Sequence, residues 1–215
     1  MILTVAHTKG GVGKTTLSIQ IAAYLRAVKK IEKLSLIDGD PQKSTLEAIT
    51  ERNSMDGVPP ITCTPLTTGK EILGQFKSQH SVWEQIIIDI GARESNALKA
   101  ALVCSDVVLI PVQPRGFDLQ ALRDFHNILE DARDYNDHIK ACAVLSLADP
   151  QGSSNSEAEE YLANYKDIQV ISNPIIRRKV YATSSMRGLS VFEESPRDQK
   201  ACREIESLVS SIYGF

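Results

Sequence analysis

The sequence has no Cys-x-x-Cys pair, no long apolar run and no surplus of positive charge, and each shortage excludes a class of protein. Cys63, Cys104, Cys142 and Cys202 lie far apart. That spacing argues against a disulfide framework or a zinc site and favours reduced, cytoplasmic thiols. Nothing approaches the roughly 18 consecutive apolar residues of a membrane span. Met1-Ile2-Leu3-Thr4-Val5 has no basic-then-apolar character, so no cleaved leader is expected there. The net charge is −3 and the isoelectric point about 5.8. Any contact with nucleic acid must therefore come from a local basic patch, because the field of the whole molecule repels phosphate. Repeats, low-complexity tracts and a dividing linker are missing too. What remains is 215 residues, 42% hydrophobic and 24% charged, which fits one α/β domain spanning 1–215.

Short apolar runs alternate with helical stretches, the pattern of a mostly parallel, doubly wound sheet with helices on both faces. Strands are expected at Ile2–Ala6, Lys33–Asp38, Ile61–Thr64, Gln85–Asp89, Val107–Pro111, Ala141–Leu147 and Ile168–Ile171. Their β-branched content suits burial on both faces. Helices are expected at Lys14–Val28, Gly69–Ser78, Ser95–Cys104, Asp118–Asp134, Ser156–Tyr165 and Arg197–Ile212. Asp118 and Ser156 stand where N-caps would. The stretch from Asp149 to Ser156 reads as an exposed loop.

Lys9-Gly10-Gly11-Val12-Gly13-Lys14-Thr15-Thr16 lies between the first strand and the first helix. Polyphosphates need many donors converging on a small volume. Glycines let the backbone turn its N–H groups inward, and the helix start adds the positive end of a dipole. Lys14 can neutralise the outer phosphates, and the Thr15 hydroxyl is placed to ligate Mg²⁺. The usual phosphate loop has glycine six places before its lysine, where this chain has Thr8. Two strands then end in acids, Ile37-Asp38-Gly39-Asp40-Pro41-Gln42 and Ile86-Ile87-Ile88-Asp89. Strand C-termini face the ligand crevice of an open α/β sheet. Carboxylates there can hold a metal's waters and orient an attacking water, and Asp89 fits the acid that holds Mg²⁺ through water.

Lys-Gly-Gly-x-Gly-Lys-Thr-Thr resembles the deviant Walker motif of the ParA/MinD ATPases, a family with the phosphate-loop NTPase fold. Asp38-Gly39-Asp40-Pro41-Gln42 resembles the same family's Asp-x-Asp-Pro-Gln. The resemblance extends to Val107–Pro114 with Phe117-Asp118, and Ile175–Tyr181 and Gly188–Glu193 resemble the matching segment of the short plasmid-partition ParA proteins, ParF among them. It implies slow hydrolysis of ATP with Mg²⁺ and an ATP-dependent homodimer. By the resemblance, Lys9 reaches across the dimer to the partner's nucleotide and Asp40 positions the hydrolytic water. Asp38 lies by the Mg²⁺ shell and the first switch, and Ile176 and Arg177 border the adenine in a loop. Ile90-Gly91-Ala92-Arg93-Glu94 resembles the second switch but departs from the commoner Thr-Pro-Pro or Ala-Gly-Gly forms, which leaves its contacts open.

Arg177-Arg178-Lys179, with Arg187, is the densest cationic cluster. In relatives such residues let an ATP-bound dimer contact DNA without reading its sequence. The run equally suits a solvated turn, or arginines serving the nucleotide or the dimer interface. The leading expectation is a cytoplasmic, nucleoid-associated DNA-partition ATPase. Its implied partners are a second copy, non-specific DNA and a centromere-binding ParB-like adaptor. The alternative is a positioning ATPase for a non-DNA cargo such as a chemoreceptor array, a microcompartment or a secretion machine. A metabolic relative of the same fold is a third reading; for the nitrogenase iron protein, Cys104 lacks a second cysteine in the needed spacing. The sequence starts at the first strand, so no operator-binding helix-turn-helix is expected ahead of it. Glu206–Phe215 has no lysine or arginine, so no membrane partner is expected through a basic amphipathic tail.

Overall fold

A computed structural model describes residues 1–79, 82–92, 95–114, 119–150 and 153–214. Seven strands form one sheet in the order β3-β2-β4-β1-β5-β6-β7, and every pairing is parallel. The strands are β1 (Ile2–Val5), β2 (Leu34–Asp38), β3 (Thr62–Pro65), β4 (Gln85–Asp89), β5 (Val107–Val112), β6 (Lys140–Ala148) and β7 (Ile168–Ile176). The helices are α1 (Lys14–Ala27), α2 (Ser44–Asn53), α3 (Gly69–Gln79), α4 (Asn96–Val103), α5 (Leu119–Arg133), α6 (Ser153–Leu162), α7 (Lys179–Met186) and α8 (Gln199–Tyr213).

Alternation along each strand decides which layer a side chain joins. Leu3, Val5, Leu36, Ile87 and Leu109 point to one face, where Leu17 and Ile21 of α1, Ile49 of α2, Tyr181 of α7 and Ile205 of α8 cover them. Ile2, Ile37, Ile86, Ile88, Val108 and Ile110 point to the other, under Ile72 of α3, Leu98 of α4, Phe125 of α5 and Leu162 of α6. The chain winds from β1 outward through β2 to β3, returns to β4 beside β1, then crosses to β5 on β1's other side. The loop after β1 therefore opens where the winding reverses, the place at which such sheets bind ligands.

Several sequence expectations are corrected. α6 begins at Ser153, so Ser156 lies inside the helix and is not its N-cap; Asn155 Nδ2 donates back to the Asp149 carbonyl at 2.9 Å and ties the first turn down. β7 runs on to Ile176, so Ile176 ends a strand instead of lying in a loop. α2 was not anticipated. Its buried positions are Thr45, Ala48, Ile49 and Arg52, and two polar residues among four hide the apolar stripe that marks a helix. α7 is hidden likewise, burying Tyr181, Ser184 and Ser185. The proposed cap Asp118, with Phe117 and the switch residues Arg93 and Glu94, lies outside the described residues.

Candidate functional site

The loop after β1 is pinned before it turns. His7 is buried, stacks on Phe125 at 5.6 Å and accepts the Lys9 N–H on Nδ1 at 2.9 Å. Thr8, in the place of the usual glycine, donates its hydroxyl to the Ala121 carbonyl at 3.1 Å and ties the loop to α5. Gly10 and Gly11 are exposed, while Val12 anchors in the core. Gly13 has φ 95°, and a Cβ there would stand 2.7 Å from Ser146 Oγ. α1 then starts at Lys14 with no side-chain cap and no acid in its first turn. Helix-start N–H groups without a capping side chain are donors available to an anion. Lys14 Nζ folds over the loop onto the Lys9 carbonyl at 2.9 Å. Burial lowers its pKa, opposed by the charges of Asp89 and Asp40. Lys9 in the loop and Thr16 in the first turn of α1 are half-buried.

Parallel pairing sets Asp38 of β2 directly beside Asp89 of β4, and Asp89 beside Val5 of β1. Asp89 is buried. Its Oδ2 accepts from Thr15 Oγ1 at 2.7 Å and Thr45 Oγ1 at 2.6 Å, and its Oδ1 from Ser18 Oγ at 3.2 Å. Burial pushes its carboxyl up to about 6, against the two threonine hydroxyls and Lys14, which pull it down. Asp38 accepts the backbone N–H groups of Asp40 at 3.0 Å and Leu46 at 2.8 Å, and burial raises its pKa as well. Asp40 is half-buried and accepts the Gln42 N–H at 2.9 Å. A Cβ on Gly91 would be 3.0 Å from Asp40 Oδ2, so the missing side chain lets this carboxylate lie against the chain that follows β4. Ser18, Thr45 and His7 were not expected here. The available signal was Ser44-Thr45, a pair of hydroxyls close behind the acidic motif.

The cationic cluster is smaller in space than in sequence. Arg178 turns inward, donating Nε and Nη2 to Glu204 Oε1 at 3.0 and 2.7 Å. The other oxygen of Glu204 accepts the Ile176 N–H at 3.1 Å and the Tyr181 hydroxyl at 2.8 Å. Arg177, Lys179 and Arg187 are exposed, and Arg187 has Glu194 at 3.7 Å. Arg187 lies with Thr15, Thr16 and Ile19 on a cleft of about 590 Å³ between α1, α2 and α7, which brings one of these cations beside the start of α1. A larger groove of about 770 Å³ between α3 and α4 is lined by Leu73, Ala100 and Val103 and holds none of the motif residues.

A glycine loop opening a helix at the reversal point of a parallel sheet, backed by a buried acid and a threonine hydroxyl, defines the class of phosphate-loop nucleotide-binding proteins. Residues 3–191 match the family described as the CobQ/CobB/MinD/ParA nucleotide binding domain, and the chain belongs to that family. It is 28% identical over 212 residues to the maintenance of carboxysome distribution protein A of Halothiobacillus neapolitanus, covering 98% of this chain and 95% of that one. It is 23% identical to the chromosome-partitioning ATPase Soj of Thermus thermophilus, covering 90% and 88%. The solved complex of a Cyanothece McdA variant with ATP superposes with a TM-score of 0.76 at 16% identity, over 100% and 96% of the two chains. No helix among the described residues is long and apolar enough to cross a membrane.

Proposed function

We propose that this protein is a ParA-type positioning ATPase, which binds ATP with Mg²⁺, pairs with a second copy over the nucleotide and is reset by hydrolysis. The observation that carries the reading is the pair of threonine hydroxyls on one oxygen of the buried Asp89, directly behind an uncapped helix start. A buried, raised carboxyl with hydroxyl neighbours suits a hard divalent cation, which takes oxygen ligands. Mg²⁺, when bound, neutralises charge on the outer phosphates. The loop N–H groups hold the phosphates, and Lys14 exchanges the Lys9 carbonyl for a phosphate oxygen. Asp40 accepts a hydrogen bond from the attacking water and holds it in line. The water oxygen bonds to the γ-phosphorus as the bond to the leaving oxygen of ADP breaks, and the proton leaves with the released phosphate. Lys9 reaches the partner copy's nucleotide.

Similarity along almost the full length to a carboxysome distribution protein supports a protein assembly as the cargo. Segregation of DNA is the second reading, supported by the likeness to a chromosome-partitioning ATPase and by exposed Arg177, Lys179 and Arg187. The core of the proposal is tested by Lys14→Ala. Removing the one full charge aimed at the outer phosphates weakens ATP binding roughly 100-fold, about 3 kcal/mol. Calorimetry that gave the variant unchanged ATP affinity would sink the nucleotide reading.

A further inference from the structure

Among the described residues, Arg52 is the largest side chain with no exposure at all, and it lies on the helix that delivers Thr45 to Asp89. From the last turn of α2 it donates Nε to the Pro59 carbonyl at 2.9 Å and Nη1 to the Gly188 carbonyl at 3.0 Å. It grips Glu193 with both Nη groups, at 2.8 and 2.9 Å. Glu193 also accepts the Ser190 N–H at 2.9 Å. Residues 184–193 form a strap with a second anchor. Gln20 of α1, also buried, donates to Ser184 Oγ, Ser185 Oγ and the Leu189 carbonyl at 2.8, 3.0 and 3.1 Å, and accepts the Val191 N–H at 2.9 Å.

The two helices that each present a threonine to Asp89 Oδ2 are thus bolted to one strap by two buried polar side chains. α1 presents Thr15 and is held at Gln20. α2 presents Thr45, sets the Leu46 N–H on Asp38, and is held at Arg52. The ion pair itself adds little net cohesion to this interior, because desolvating two charges offsets most of their attraction. What a bidentate fork adds is direction. We infer that Arg52 and Glu193 are positioning residues for the metal side of the nucleotide site, setting through α2 where Thr45 and Leu46 meet Asp89 and Asp38. The inference rests on the nucleotide reading above.

The test uses the double variant Arg52→Met with Glu193→Met, which leaves no lone charge in the interior, and the single variant Glu193→Gln, which keeps size and one accepting oxygen. Melting curves report the fold, and calorimetry with ADP in the absence of Mg²⁺ reports the phosphate loop. Titration of Mg²⁺ at fixed ATP reports the metal side, and the threonine methyl resonances of the ligand-free protein report Thr45 directly. The expected double variant is folded and binds Mg²⁺-free ADP as wild type does, yet needs about tenfold more Mg²⁺, the cost usual for groups that orient a metal's ligands. Its Thr45 methyl resonance moves, while that of Thr4, bonded to Ser105 on the other side of the sheet, does not. Glu193→Gln shifts the Mg²⁺ requirement in the same direction by less, and carries the test if the double variant does not fold. An unchanged Mg²⁺ requirement with an unmoved Thr45 signal in a folded variant overturns the inference alone. Wild type that bound no nucleotide at all would overturn the nucleotide reading and this inference together.

Discussion

Asp89 ionises from a buried place at the end of β4. Its carboxyl is pushed up to about 6 by burial, whereas an unfolded aspartate titrates near about 3.9. The folded chain therefore holds this proton more tightly than the unfolded chain does. Stability from this group is fully present below about pH 4 and is lost as pH rises through about 6, by up to roughly 3 kcal/mol. Asp89→Asn removes the dependence. The expected result is a variant-minus-wild-type difference in melting temperature that grows in the variant's favour between about pH 4 and about pH 7 in nucleotide-free protein. A flat difference over that range would refute the assignment. A bound cation must also displace the proton, so Mg²⁺-dependent ATP binding in wild type weakens below about pH 6.

At the scale of elements, α2 and the strap at 184–193 approach so closely at Gly188 that no side chain fits there. Gly188 has φ 66°, and a Cβ there would collide with the Ala48 carbonyl and stand 2.7 Å from Arg52 Cβ. Gly188→Ala adds a strained φ and a backbone collision, so it lowers stability by roughly 2–4 kcal/mol. Gly74, inside α3, meets nothing within 4 Å. Gly74→Ala should raise stability by roughly 0.5–1 kcal/mol, because alanine has less backbone freedom to lose on folding. Urea titrations of the two variants check both signs. A Gly188→Ala variant as stable as wild type would show that α2 and the strap are not in the close contact described, and a loss in Gly74→Ala would show that the methyl has no room on α3.

For the whole molecule, the governing quantity is charge summed over copies. A chain with net charge −3 repels DNA at long range. On the reading in which Arg177, Lys179 and Arg187 contact DNA, pairing two copies doubles the phosphate contacts, and affinity climbs steeply with their number. Two outcomes are expected. Lys9→Ala keeps ADP binding but loses the ATP-dependent dimer in light scattering, on the proposal that Lys9 reaches the nucleotide of the other copy; a full dimer would rule that role out. Arg177→Ala with Lys179→Ala weakens ATP-dependent binding to unrelated duplexes alike, by about tenfold or more at moderate salt, with a shallower salt dependence. Arg178 is left in place because Glu204 already holds it. Undiminished binding in gel shifts would place the DNA surface elsewhere.

Local pattern was enough for the parallel α/β sheet, the phosphate loop and the two acidic strand ends. Their signals are local: β-branched runs, a glycine spacing, and acids at the ends of apolar stretches. Asp38 and Asp89 could be named from sequence, but 51 positions separate them, and only strand pairing makes them neighbours. Thr45 was out of reach because α2 buries threonine and arginine where a helix usually buries leucine. The burial of Arg52 follows from Glu193, 141 residues along the chain. The inward turn of Arg178 follows from Glu204 in the last helix. Composition and spacing carry what each residue can do chemically. Only the tertiary structure decides which charges meet a partner, because that depends on contacts between segments far apart in the chain.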